Sequence, residues 1–155
     1  MGICLLVDTP ERFSAMVLGG IGDETAESAA ACGAIAAALR APREGLPAEA
    51  FARAVRAFVE ANPRNTDLES LALSALQMWP EGFPRALAGP RLTQARTPVL
   101  VINGAHDLPY ALSDERLVAA IPGARLARIP GCDHLSAVSD PRFPAIVREF
   151  LSALP

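Results

Sequence analysis

The sequence predicts an α/β protein: a short parallel sheet flanked by helices, with a helical insertion between its first two strands. Three observations point there. Unbroken apolar runs end in turn residues, as strands buried on both faces do. Near the C-terminus a strand, a short helix and another strand follow in order, which makes a βαβ unit. Residues 23–94, by contrast, carry helical signals and no strand pattern.

Residues 15–18, Ala-Met-Val-Leu, form the first strand, closed by Gly19-Gly20. In the insertion, Phe51, Val55, Phe58 and Val59 recur at helical spacing before Asn62-Pro63. A further helix starts at Thr66, whose hydroxyl and Glu69 make a capping box. It shows Leu68, Leu71, Ala75 and Met78 on one face and runs into Trp79-Pro80. The second strand is residues 99–102, Val-Leu-Val-Ile, between Pro98 and Asn103-Gly104. Ser113 then caps a helix reaching Ile121, with Asp114 and Glu115 in its positive first turn and Pro122-Gly123 as its stop. Residues 125–129 form the third strand, closed by Pro130-Gly131. The last helix has Asp140 as cap, Pro141 in its first turn, and Phe143, Ile146, Val147, Phe150, Leu151 and Leu154 on one stripe.

Composition narrows the function. With 155 residues, 51% of them hydrophobic and 20% charged, the chain can build a core without disulfides or metals, and disorder is excluded as its main state. Net charge is −3 and all 14 basic residues are arginines scattered from Arg12 to Arg148, so no nucleic-acid partner is expected. Cys4, Cys32 and Cys132 are odd in number and far apart, which predicts neither a disulfide framework nor a zinc site, no cofactor, and a reducing, cytoplasmic setting. The most apolar stretch, 28–39, falls short of the ~18 residues a membrane-spanning helix needs. Acylation of the opening Met-Gly-Ile-Cys is not expected either, because Leu6 stands where the pattern wants Ser or Thr.

Two turns carry candidate chemistry. Gly104-Ala-His-Asp107 follows the second strand and Gly131-Cys-Asp-His134 follows the third. Sites in parallel sheets form beyond the carboxyl ends of strands, and neighbouring strands lie about 4.8 Å apart. Asp107 and His134 thus come within reach of each other: a carboxylate that fixes an imidazole tautomer, and an imidazole that takes a proton from a nucleophile. The competing view is an ordinary turn-forming Asp and a structural His; their places just past strand ends favour function. His106 is the rival imidazole, in the same tight turn as Asp107. Cys132 is the rival nucleophile, two positions from His134. Gly20-Ile-Gly22 could also be a phosphate-binding turn, but Thr25 replaces the third glycine of that motif, and Asp23 and Glu24 would repel phosphate.

Three blocks, taken together, resemble the C-terminal half of an α/β-hydrolase over essentially the whole chain. Pro10-Glu-Arg-Phe-Ser-Ala-Met-Val-Leu-Gly-Gly20 is similar to the segment that enters strand six of that fold. Thr97-Pro-Val-Leu-Val-Ile-Asn-Gly-Ala-His-Asp107 resembles strand seven with its acid turn, and Ile129-Pro-Gly-Cys-Asp-His134 resembles strand eight with the histidine loop. The resemblance implies a partial α/β-hydrolase core at 1–22 and 95–155 and a helical cap at 23–94. It implies Asp107 as triad acid and His134 as general base. The implied reaction is hydrolysis of an ester or related carbonyl through an acyl-enzyme. Gly20, Met78, Trp79, Tyr110 and also Phe83 are expected against a small, uncharged acyl-type substrate.

One departure counts against activity. In many members the nucleophile elbow reads G-x-S-M-G; Met1-Gly2 match its last two positions, so the serine belongs before the first residue given. Met1 would then stand at an oxyanion position. None of the eight serines replaces the missing one: Ser14 precedes a strand, Ser28, Ser70, Ser74 and Ser152 fall in helices, Ser113 caps one, and Ser136 and Ser139 share the loop of His134. The chain as given is expected to be inactive. An aspartate in the missing position would instead suit dehalogenase or epoxide-hydrolase chemistry. The alternative is a noncatalytic remnant, or a half-domain that binds a partner chain. The first strand would lack a neighbour, which predicts self-association through an exposed sheet edge.

Overall fold

A computed structural model of the chain describes residues 2–23, 26–42, 50–61, 67–78, 90–108 and 110–154. They fall into two compact units, Met1–Glu24 with Pro84–Pro155, and Thr25–Phe83.

The first unit is a three-layer α/β structure. Helix α1 (Gly2–Asp8) leads into β1 (Met16–Gly19); the chain returns at β2 (Val99–Gly104) and continues through α5 (Asp114–Ala120), β3 (Arg125–Ile129) and α6 (Arg142–Ser152). The strands are parallel in the order β1-β2-β3, with Met16 opposite Val99 and Leu100 opposite Arg125. β2 is buried along its whole length, as its apolar run requires. Its side chains alternate. Val99 and Val101 pack with Ile3, Leu6, Leu18, Leu117 and Ile121 on one face, and Leu100 and Ile102 with Ile129 and Phe150 on the other. Full burial of each such side chain contributes about 1.5–3 kcal/mol. β1 lies at an edge of this sheet among the described residues.

Local chemistry shifts several predicted boundaries. Ser113 precedes α5, but its hydroxyl donates to the Tyr110 carbonyl at 3.3 Å and makes no cap bond. Asp114, expected only to suit the positive first turn of the helix, is fully buried. The cap of α6 moves one residue on, to Pro141, while the Asp140 carboxylate accepts the Arg142 N–H at 2.9 Å. The Arg142 guanidinium also donates to Asp140 and holds that carboxyl well below the usual carboxylate range. Leu151 leaves the predicted stripe. Phe143, Ile146, Val147, Phe150 and Leu154 pack on the sheet, whereas Leu151, one helical step past Phe150, is exposed.

The second unit holds α2 (Ala26–Arg40), α3 (Ala50–Ala61) and α4 (Leu68–Met78). Ile35, Ala36 and Leu39 of α2 pack with Ala72 and Ala75 of α4, joined by Val55, Val59 and Leu68. The inward face of α4 therefore runs Leu68-Ala72-Ala75, and Leu71 points out, contrary to the predicted face. Asp67 caps this helix: its Oδ1 accepts the N–H groups of Glu69 (3.0 Å) and Ser70 (3.3 Å). Glu69 pairs with Arg40, and Thr66, its expected capping-box partner, lies outside the described residues. Arg56 of α3 reaches the C-terminal end of α2, donating from Nη1 to the carbonyls of Ala38 (2.9 Å), Leu39 (2.7 Å) and Ala41 (3.1 Å). It satisfies acceptors that the helix end leaves open.

Candidate active site

Both candidate residues sit on turns that the C-terminal ends of β2 and β3 dictate. After Gly104 the chain turns tightly, with the Asp107 N–H bonded to the Gly104 carbonyl at 3.1 Å. A Cβ at position 104 would stand 2.4 Å from the Cys132 carbonyl oxygen, so only glycine lets the loop after β3 cross this close. The His106 N–H donates to that same carbonyl at 2.8 Å, and the Ala105 N–H to Ile129 at 3.0 Å. These bonds lay one loop against the other.

The histidine loop is built by its neighbour. Asp133 Oδ1 accepts the N–H groups of Leu135 (3.1 Å) and Ser136 (2.8 Å) and the Ser136 hydroxyl (2.6 Å). The Ser136 hydroxyl, first among these donors, holds the Asp133 carboxyl below its ordinary pKa. Ser136 is thereby committed to the turn and not to chemistry.

The result is a close acid–imidazole pair. His134 Nδ1 lies 3.0 Å from Asp107 Oδ1 and 3.1 Å from Oδ2. Asp107 is 1% exposed, while the imidazole keeps about a third of its surface in water. A carboxylate only accepts, so Nδ1 carries the hydrogen and the neutral ring holds its lone pair on Nε2. The Asp107 hydrogen bond raises the pKa of His134 above its ordinary value, against burial, which lowers it. Such a pair can take a proton at Nε2 and return it, with the resulting cation stabilised by Asp107.

Two further residues shape this imidazole. Tyr110, buried in the turn Tyr110–Leu112, places its ring centroid 5.3 Å from that of His134. Gly20 has φ 63, and a Cβ there would stand 2.6 Å from His134 Cε1, so the residue is glycine for conformation and for space. The rivals stay apart from the pair. His106 is exposed, and Cys132 is buried with Sγ donating to Asp140 Oδ2 at 3.4 Å. The proposed phosphate turn has its amides engaged: Ile21 N–H donates to Asn103 Oδ1 at 3.1 Å and Asp23 N–H to the Ser113 carbonyl at 3.2 Å. Met1, Trp79 and Phe83 lie outside the described residues, as does the side chain of Met78.

A buried polar network runs beside the pair. Arg128 of β3 donates from Nε (3.0 Å) and Nη2 (2.5 Å) to the two oxygens of Asp114, and Asp114 Oδ2 also accepts from Asn103 Nδ2 at 3.2 Å. Sequence reasoning passed over Asn103, treating it only as the end of a strand. Its one signal was a polar residue directly continuing a fully apolar run. Among the described residues no helix is long and apolar enough to cross a membrane.

No protein-family model and no curated protein matches this chain. Solved structures do. A hydrolase from Pseudomonas aeruginosa is 30% identical, with a TM-score of 0.64 over 98% of this chain and 60% of its own. An enol-lactonase from Burkholderia xenovorans is 21% identical, TM-score 0.67, over 97% of this chain and 61% of its own. An alpha/beta hydrolase enzyme from a Medee basin deep-sea metagenome library is 18% identical, TM-score 0.67, over 99% of this chain and 61% of its own. The chain thus spans about three fifths of the length of the structures it resembles.

Proposed function

We propose that this chain, which has the α/β-hydrolase fold in part, supplies the acid and base of a serine-type hydrolase acting on an ester or related carbonyl. The observation that carries the proposal is the bond from His134 Nδ1 to both oxygens of the buried Asp107. Nε2 removes the proton of a serine hydroxyl as its oxygen bonds to the carbonyl carbon. The imidazolium then protonates the leaving oxygen as that bond breaks. Water, deprotonated by the same Nε2, bonds to the acyl carbon. The bond to the serine oxygen then breaks, and the imidazolium returns its proton to that oxygen, which releases the acid and restores the serine. Asp107 holds the tautomer and stabilises the imidazolium at each stage.

The serine comes from a segment preceding this sequence, where the resemblance places the nucleophile elbow, so the 155 residues alone are inactive. Helices α2, α3 and α4 form the cap, and the substrate is a small, uncharged acyl compound; likeness to an enol-lactonase supports an ester-type carbonyl. The free cysteines Cys4, Cys32 and Cys132 support a reducing, cytoplasmic setting.

The test is labelling by a fluorophosphonate serine probe, with p-nitrophenyl ester turnover alongside. A chain extended by its in-frame upstream coding sequence is expected to label and turn over, and His134→Ala is expected to abolish both. Labelling of the 155-residue chain by itself, or full turnover in the extended His134→Ala variant, would overturn the proposal.

A further inference from the structure

Asn103 is buried at the rim that holds Asp107 and His134, yet the proton relay does not use it. Its side chain pairs with the backbone of Ile21 in both directions. The Ile21 N–H donates to Oδ1 at 3.1 Å, and Nδ2 donates to the Ile21 carbonyl at 2.8 Å. The other Nδ2 hydrogen goes to Asp114 Oδ2 at 3.2 Å. Because a carboxylate offers only acceptors, Asp114 decides which end of the amide is nitrogen and so locks its orientation. Asp114 is itself held by Arg128.

What this amide grips matters for the imidazole. Ile21 directly follows Gly20, the residue against His134 Cε1. The sheet holds Gly20 weakly, through one long bond of 3.4 Å from its N–H to the Ile102 carbonyl. One residue on, the Asn103 side chain takes over from the ladder and makes two good bonds where the sheet makes none. An Asp in its place would lack the donor, and a Leu would lack both atoms.

We infer that Asn103 is a positioning residue: by clamping Ile21 it holds Gly20 against the imidazole edge and so sets the direction in which His134 Nε2 faces a substrate. This rests on the general-base role proposed above for His134. The clamp itself is a matter of geometry and can be read without activity.

The experiment is proton NMR on the 155-residue chain, which carries two histidines. His106, being exposed, serves as the reference resonance. The native chain is expected to show a cross-relaxation peak between a Gly20 Hα and the His134 Cε1 proton. In Asn103→Leu that peak is lost and the His134 resonance moves, while His106 stays. A core truncation in the second unit, Ile35→Val, keeps both. If Asn103→Leu gives no dispersed spectrum, Asn103→Ser is read by the same criteria, since a hydroxyl cannot span both Ile21 atoms. In the extended, active chain, Asn103→Leu is expected to lower kcat roughly tenfold to a hundredfold with little change in KM. A folded Asn103→Leu or Asn103→Ser chain that keeps the Gly20–His134 peak overturns the clamp. Serine labelling unaffected by His134→Ala, with the peak lost, would instead overturn the base role and leave the clamp standing.

Discussion

Two buried carboxylates, Asp107 on the turn after β2 and Asp114 at the start of α5, meet opposite fates. Asp107 and Asp114 are each at most 1% exposed, and each is matched by a side chain from the β3 region that keeps about a third of its surface in water: His134 for the first, Arg128 for the second. In outline the pairs are alike. The difference is the proton. A guanidinium keeps its charge at every pH a protein survives, so Asp114–Arg128 is a fixed brace with two parallel bonds. An imidazole titrates near neutrality, so Asp107–His134 can gain and lose a proton in place. Geometry alone would not tell a relay from a brace.

The largest way to break the contrast is to remove the proposed relay. In the extended enzyme, Asp107→Asn and His134→Ala are each expected to cut kcat/KM by about 10³- to 10⁴-fold, measured by ester turnover. If either loss were severalfold only, the pair would be a second brace.

Next comes the brace itself. Arg128→Met leaves the fully buried Asp114 without its cation, and the expected loss is about 2 kcal/mol, discounted from the range for buried pairs because Arg128 is partly solvated. The urea midpoint measures it, and an unchanged midpoint would show Asp114 to be satisfied by Asn103 and its other neighbours.

Gly20→Ala probes the boundary between the two regions. A left-handed φ of 63 in a non-glycine residue costs about 1–2 kcal/mol, and the new methyl meets His134 Cε1. The expected outcome is a lower thermal midpoint together with a displaced His134 resonance. Displacement without destabilisation would mean that the imidazole, not the loop, gives way.

The smallest effect sharpens the comparison through pH. Because the Asp107 bond raises the native pKa of His134 above its unfolded value near 6.5, the native state binds this proton more tightly. The stability this contributes is fully present below about pH 6.5 and fades as pH rises through the raised native value. Urea midpoints from pH 5 to 9 should show that loss in the native chain and none of it in His134→Ala, whereas Arg128→Met should keep it. A flat profile in the native chain would contradict the sign.

Much of this was legible in residue order. Apolar runs at 15–18 and 99–102, and a weaker alternation at 125–129 closed by Pro130-Gly131, placed these strands to within two residues. Asp107 and His134 were legible because each closes a turn directly after a strand. Helix faces were less so. A 3.6-residue period marks a stripe but not its edges, and the neighbouring layer decided that Leu71 and Leu151 stay in water. Asp67, which the sequence reading passed over, caps α4. Asp114 was read only as a charge suited to the first turn of its helix, because nothing local says that Arg128, fourteen residues on, comes to rest beside it. Asn103 was missed for the same reason: its partner, Ile21, is 82 residues away.

The sequence by itself determined the strands, the two chemical turns and the order in which they come, because burial and turn formation act on neighbouring residues. Which basic side chain each carboxylate meets, and which groups pack against the imidazole, only the tertiary structure decided. Those outcomes depend on atoms brought within 3 Å by the crossing of the loops after β2 and β3, a closeness that Gly104 permits and residue order does not record.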